Sequence, residues 1–136
     1  MSEMLSHDWS DERIAAYIRE WAIERSKCGL DVEKYNRIND EHLSPAMKLL
    51  QERGPGAVSK MLPLLEDDNP DVRLATAYFA YDLDPPECRA ALEELMKTAN
   101  FTGLMAYGAL WLKDPTAAPD PVALWGDQLP ELRLKR

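Results

Sequence analysis

Cysteine, glycine and histidine are scarce in this chain, and so is positive charge. Two cysteines, Cys28 and Cys88, among 136 residues are too few for a disulfide framework. One bridge between them is open to the sequence, but they read first as two free, buried thiols in a reducing cytoplasm. Sixteen Lys+Arg against 24 Asp+Glu leave a formal net charge of −8 and a pI near 4.7. A surface that acidic repels phosphate backbones and anionic lipid, so neither nucleic acid nor a membrane is expected as a partner. Long apolar runs are missing as well. The longest uncharged stretch, 98–112, contains Asn100, Thr102 and two glycines and is too short to span a bilayer. The first eight residues carry neither a basic n-region nor an apolar h-region. No signal peptide is expected, and the expected location is the cytoplasm.

Signatures of catalysis and metal binding are equally thin. There is no Gly-x-Ser-x-Gly, no phosphate-binding glycine loop and no His-Glu-x-x-His. Of the two histidines, His7 lies in the N-terminal segment, and His42 neighbours Asp40 and Glu41 in sequence, but adjacent helix positions do not face one another. Asp67-Asp68-Asn69-Pro70-Asp71 lacks the glycine and distal Glu of a calcium loop, so it reads as a turn followed by a helix cap. Gly54-Pro55-Gly56 reads as a helix break, and Glu66-Asp67 and Glu93-Glu94 as solvated helix faces. No metal, no cofactor and no enzymatic activity is expected.

What the chain does have is helical spacing. Ser10 is placed to cap a first helix, with Asp11 and Glu12 in its first turn. Ile14, Tyr17, Ile18, Trp21, Ala22 and Cys28 share one stripe, and Gly29 is a natural stop. A second helix opens at Asp31. Ser44-Pro45 either ends it or kinks one long helix. A third segment, 57–66, should bend at Pro63. Pro70 suits the first position of a helix over 70–83, whose core face is Val72, Ala75, Thr76, Phe79, Ala80 and Leu83. Pro85-Pro86 breaks it. Cys88, Ala91, Leu92, Leu95 and Met96 form the next stripe, 100–102 a turn, and Ala106 to Lys113 the last strong helix. No segment alternates with period two, so the expected class is all-α. Residues 1–115 form the helical domain and 116–136 a proline-rich tail packed on or flanking it.

A shift of roughly 30 residues superposes the two central helix pairs, within the range of helical repeats. Leu65 falls on Leu95, Leu74 on Leu104, Ala80 on Leu110 and Tyr81 on Trp111. Within the first unit, residues 61–77 carry a leucine-rich helix with Pro63, then Asp67, an Asn69-Pro70 turn, Val72-Arg73 and an alanine-rich second helix. That order closely resembles a HEAT repeat. More broadly, 31–113 resembles a small bacterial family of HEAT-like proteins classed as a domain of unknown function. It does so through Asn36-Arg37-Ile38-Asn39-Asp40, Arg53-Gly54-Pro55, Leu62-Pro63-Leu64-Leu65, Asn69 to Leu74, Ala91 to Leu95 and Gly108 to Trp111. The resemblance implies a short α–α superhelix of about two repeats behind an N-terminal capping helix pair. It also implies that Asp67, Pro70 and Arg73 are structural, with the charges tying the inter-helix turn in place. It implies no activity.

A second apolar stripe is left over once the core faces are assigned: Leu74, Tyr78 and Tyr81 on one second helix, Leu104, Tyr107 and Trp111 on the next. In a helical solenoid these helices line the concave side, and aromatic residues gathered there suggest a binding patch. Either the tail, with Leu124, Trp125 and Leu129, folds back over the stripe, or a partner or second copy covers it. The leading expectation is a non-enzymatic interaction module of the immunity or antitoxin kind, occluding a basic protein partner. The alternatives are an adaptor for a peptide or small molecule and a hydrolase built on a cysteine and His42.

Overall fold

The computed structural model describes residues 4–29, 31–97, 101–116 and 118–119. Every regular element among them is helical, and no strand occurs. Helix α1 (Asp11–Ser26) begins where the Ser10 hydroxyl accepts from the Arg13 N–H, which satisfies a donor the helix itself cannot. The chain leaves α1 through Gly29 at φ 59°, a left-handed position that glycine takes without penalty. Helix α2 (Val32–Ile38) is capped by the Asp31 carboxylate, which accepts from the Lys34 N–H.

The ambiguity at Ser44-Pro45 resolves as one continuous but distorted helix. Residues Asn39–Leu43 form a widened π turn, in which the Ser44 N–H reaches back five residues to the Asn39 carbonyl, and this turn runs straight into α3 (Ser44–Arg53). Pro45 has no N–H for the preceding turn and its ring would crowd the carbonyl four residues back. Widening the turn just before it relieves both problems. Arg53 then donates to the carbonyls of His7 and Trp9 and to the Asp11 carboxylate, tying the N-terminal segment to the end of α3.

A short α4 (Pro55–Val58) leads into a tightened 3₁₀ segment, Ser59–Glu66, with Pro63 inside it. Helix α5 (Pro70–Phe79) starts at Asn69, whose side chain accepts from the N–H groups of Asp71 and Val72. It stops four residues short of the expected 83. Asp84 caps α6 (Pro85–Met96), so the chain must reverse before it, and a turn closed by Leu83 N–H on the Ala80 carbonyl uses up the difference. Helix α7 (Phe101–Lys113) begins earlier than expected: Phe101 and Thr102, read as a turn, are already helical, and Phe101 packs edge to face on Tyr35 of α2.

Helix α5 is central and touches α1, the 3₁₀ segment, α6 and α7, while α1 also packs on α3. Ile14, Ile18, Leu50, Met61, Leu92 and Leu110 are essentially inaccessible to water. The thirty-residue shift matches the 3₁₀ segment and α5 to α6 and α7 in order, but not in burial. Tyr81 is 6% exposed and its counterpart Trp111 is 54% exposed, because Tyr81 falls in the turn after α5 ends, while Trp111 lies on a face of α7 that the other described residues leave uncovered. No helix among the described residues is long and apolar enough to cross a membrane.

Candidate functional site: a groove over helix α5

The uncovered face of α7 is one wall of a groove of about 860 Å³. Met105, Tyr107, Trp111 and Leu112 supply that wall, Leu74, Ala75 and Tyr78 of α5 the floor, and Asn36, Asn39, Asp40, Leu43, Ser44 and Met47 the opposite wall. That opposite wall spans α2, the π turn and α3, so the distortion caused by Pro45 shapes it. Seven large apolar side chains are exposed among the described residues, and four of them (Tyr78, Met105, Trp111 and Leu112) line this one groove. Scattered exposed apolar residues are normal, whereas clustering in a concavity marks an interaction site.

Four of the six residues of the second stripe therefore meet here: Leu74, Tyr78, Tyr107 and Trp111. Leu74 is buried as floor, Tyr107 is half-buried, and Tyr78 and Trp111 are exposed. Leu104 packs half-buried against the core and does not line the groove. Tyr81 is buried after the end of α5 and borders a smaller hollow of about 420 Å³ with Arg89 and Lys113. The shortened α5 is the reason, since residue 81 no longer continues the helical face that carries Leu74 and Tyr78. Lys113 lies 4.6 Å from the Tyr78 ring centre, an attractive cation–π geometry.

Met105, Leu112 and Arg25 line the groove although the sequence pattern did not single them out, and Arg25 carries the charge among them. Its guanidinium donates through Nε and Nη2 to the two oxygens of Asp71, at 2.9 and 2.8 Å, and through Nη1 to Asn39 Oδ1. The same group lies over the Tyr35 ring, 4.8 Å from its centre, and burial pushes the Tyr35 phenol up to about 12. A signal was present: Arg25 falls three, seven and eleven positions after Ala22, Ile18 and Ile14, in register with the buried stripe of α1. An arginine on a buried stripe needs a carboxylate partner. With Arg25 neutralised by Asp71, Asp40 is the groove's uncompensated charge. It is exposed and makes no ion pair among the described residues.

The turn before α5 is held from two sides. Arg73 donates to the Asp67 carbonyl at 2.9 Å, while the Asp67 carboxylate accepts from Arg19 of α1 at 2.6 Å and from the Asn69 N–H at 3.0 Å. The hydrogen bond from Arg19 holds the Asp67 carboxyl below the usual carboxylate range. Pro70 opens α5 where no donor is needed. With Asp67 committed to Arg19 and Asp71 to Arg25, the acidic run has no oxygen set left to surround a cation. Among the described residues, no group of three or more His, Cys, Asp or Glu is arranged to hold a metal.

His42 faces aromatic rings. It stacks on Trp21 at 3.4 Å between ring centres and 3° between planes, and its Nδ1 lies 2.9 Å from the Tyr17 hydroxyl. Burial lowers its pKa. Burial likewise raises the Tyr17 pKa; the nearby Trp21 indole N–H, itself buried without a well-aligned acceptor, partly offsets the rise. Both cysteines are free and buried. Cys28 donates weakly to the Glu24 carbonyl, and burial pushes the Cys88 thiol up to about 11. Neither thiol is among the contacts of His42. Any docking of Leu124, Trp125 and Leu129 of the tail lies outside the described residues. No family model, no curated protein and no solved structure matches this chain.

Proposed function

We propose that the chain is a non-enzymatic interaction module whose α5–α7 groove receives a basic, helical segment of a partner protein. The observation that carries this reading is the gathering of Tyr78, Met105, Trp111 and Leu112 in one concavity. Tyr and Trp dominate hot spots because they desolvate large rigid surfaces. A trough between helices suits the apolar face of an added helix. Asp40 at the wall and the net charge of −8 favour Lys or Arg beside that face, and they would speed encounter at low salt. The HEAT-like motif order and the thirty-residue repetition of helices support a short superhelix with α1 and α2 as its cap. An immunity or antitoxin role against a basic toxin domain fits that surface, and unbridged thiols suit a cytoplasmic setting.

The test is calorimetry at low salt with purified products of the genes beside this one. One of them should bind. Trp111→Ala should weaken it by more than tenfold, in line with loss of a hot spot, and Asp40→Lys should slow association. Absence of binding by every neighbour, or binding indifferent to both substitutions, would sink the proposal. A groove of 860 Å³ also falls in the size range of small-ligand pockets, about 300–1,000 Å³. A thermal-shift screen that finds a small molecule, with shifts lost in Trp111→Ala, would favour the adaptor reading instead.

A further inference from the structure

We infer that the groove's resident occupant is the chain's own segment 120–136, which a partner must displace. The inference rests on reading this groove as a recognition surface and adds how access to it is governed.

The path of the chain after α7 points that way. Helix α7 ends at Lys113, yet the Tyr107 hydroxyl donates to the Pro119 carbonyl at 2.9 Å. Within six residues the chain has therefore turned back along α7 to the level of a residue six positions before the helix end. Thr116 hydroxyl on the Asp114 carboxylate and Asp114 N–H on the Leu110 carbonyl hold that reversal. Ala118 and Pro119 are half-buried. The chain is thus delivered to a side chain that itself lines the groove.

The residues after Pro119 are chemically suited to the groove. Asp120-Pro121 has the form of a helix cap and first position. Beyond it come Val122, Trp125 and Leu129, spaced i, i+3 and i+7 as the anchors of a groove-binding helix are. Reach is ample. Met105 to Leu112 covers about 10 Å of α7 at 1.5 Å per residue, and seventeen residues extend to about 56 Å at 3.3 Å each. Charge agrees. Arg133, Lys135 and Arg136 are three of the sixteen basic residues, so the preceding 132 residues carry thirteen against all 24 acidic ones. Segment 120–136 also carries Asp120, Asp127 and Glu131, so its basic charge is gathered at its very end, where it could pair with the uncompensated Asp40. Tethering supplies an effective concentration of the order of millimolar, so even a weak apolar contact keeps the groove occupied.

The test uses the full chain. With p-benzoylphenylalanine in place of Trp125, irradiation at low micromolar concentration should cross-link within one chain to Met105, Trp111 or Leu112, and Tyr78→Asp should cut the yield more than tenfold. Cross-links between chains would make a second copy the occupant, and links to another surface, or none, would overturn the inference. A second measurement needs no photoprobe. Val122→Ser with Leu129→Ser should raise peroxide oxidation of Met105 at least threefold and lower Tm by a few degrees; unchanged oxidation and Tm would also overturn it. Neither measurement involves a partner. A failed cross-link therefore leaves the partner reading standing, and failed partner binding leaves the cross-link standing.

Discussion

Arg25 and Asp71, forty-six positions apart in sequence, meet through two parallel N–H···O bonds with both side chains almost wholly buried. This fork joins the end of α1 to the first turn of α5, and its third arm reaches Asn39 in the π turn. One guanidinium thus fixes three elements that frame the groove. A bidentate pair of this kind is directional in a way apolar packing is not.

Removing one partner leaves the other charge buried and unmatched. We predict that Arg25→Ala lowers stability by about 3–5 kcal/mol, the usual cost of breaking a buried pair, measured by urea denaturation. Arg25→Met combined with Asp71→Leu should be less destabilised than Arg25→Ala, because no orphaned carboxylate remains. A double variant as unstable as the single one would show that the pair's geometry, and not the unmatched charge, sets the cost.

Arg73 supports its own turn through the Asp67 carbonyl. Arg73→Ala is expected to cost about 1–3 kcal/mol, the range for a hydrogen bond involving a charged group. A melting curve indistinguishable from that of the unaltered protein would remove Arg73 from the structural residues.

His42 gives the stability curve a defined pH response. Its folded pKa lies below the ordinary value because burial against Trp21 and Tyr17 disfavours the imidazolium. The unfolded state therefore binds the proton more readily, and the contribution is fully present above the unfolded pKa of about 6.5. It fades as pH falls from there through the folded pKa. His42→Phe keeps a ring on Trp21 and removes the titration, so Tm should vary less between pH 7 and pH 5.5 than in the unaltered protein. Identical slopes in the two proteins would assign the response to other groups.

Thiol chemistry should separate the two cysteines. With its pKa pushed up to about 11, Cys88 holds about one part in a thousand as thiolate at pH 8, and thiolate is the reactive form. Iodoacetamide at pH 8 should alkylate Cys28 well before Cys88 in the folded protein, and both equally in denaturant. Mass spectrometry showing Cys88 modified first would contradict the burial of α6 on its neighbours.

Much of the fold was legible because its signals are local. Ser10, Asp31 and Asn69 satisfy N–H groups within three residues of themselves, and Pro70 and Pro85 fix the backbone where they stand, so helix starts can be read without knowing what packs on them. The ends were harder. Helix α5 stops at Phe79 because Asp84 must already cap the next helix, and the π turn before Pro45 is one of two solutions to the same missing N–H.

By itself, then, the sequence determined an all-helical chain, the residues that begin its helices and the apolar stripes they carry. Only the tertiary structure decided which stripes found cover. Leu74, Tyr78, Tyr81 and Trp111 have equal claims by spacing, yet two are buried and two are open, because burial depends on which other segment arrives on that side. Arg25 makes the same point for charge. Its place on the stripe of α1 was written in the chain, but whether it met a carboxylate depended on where α5, forty-six residues later, came to lie.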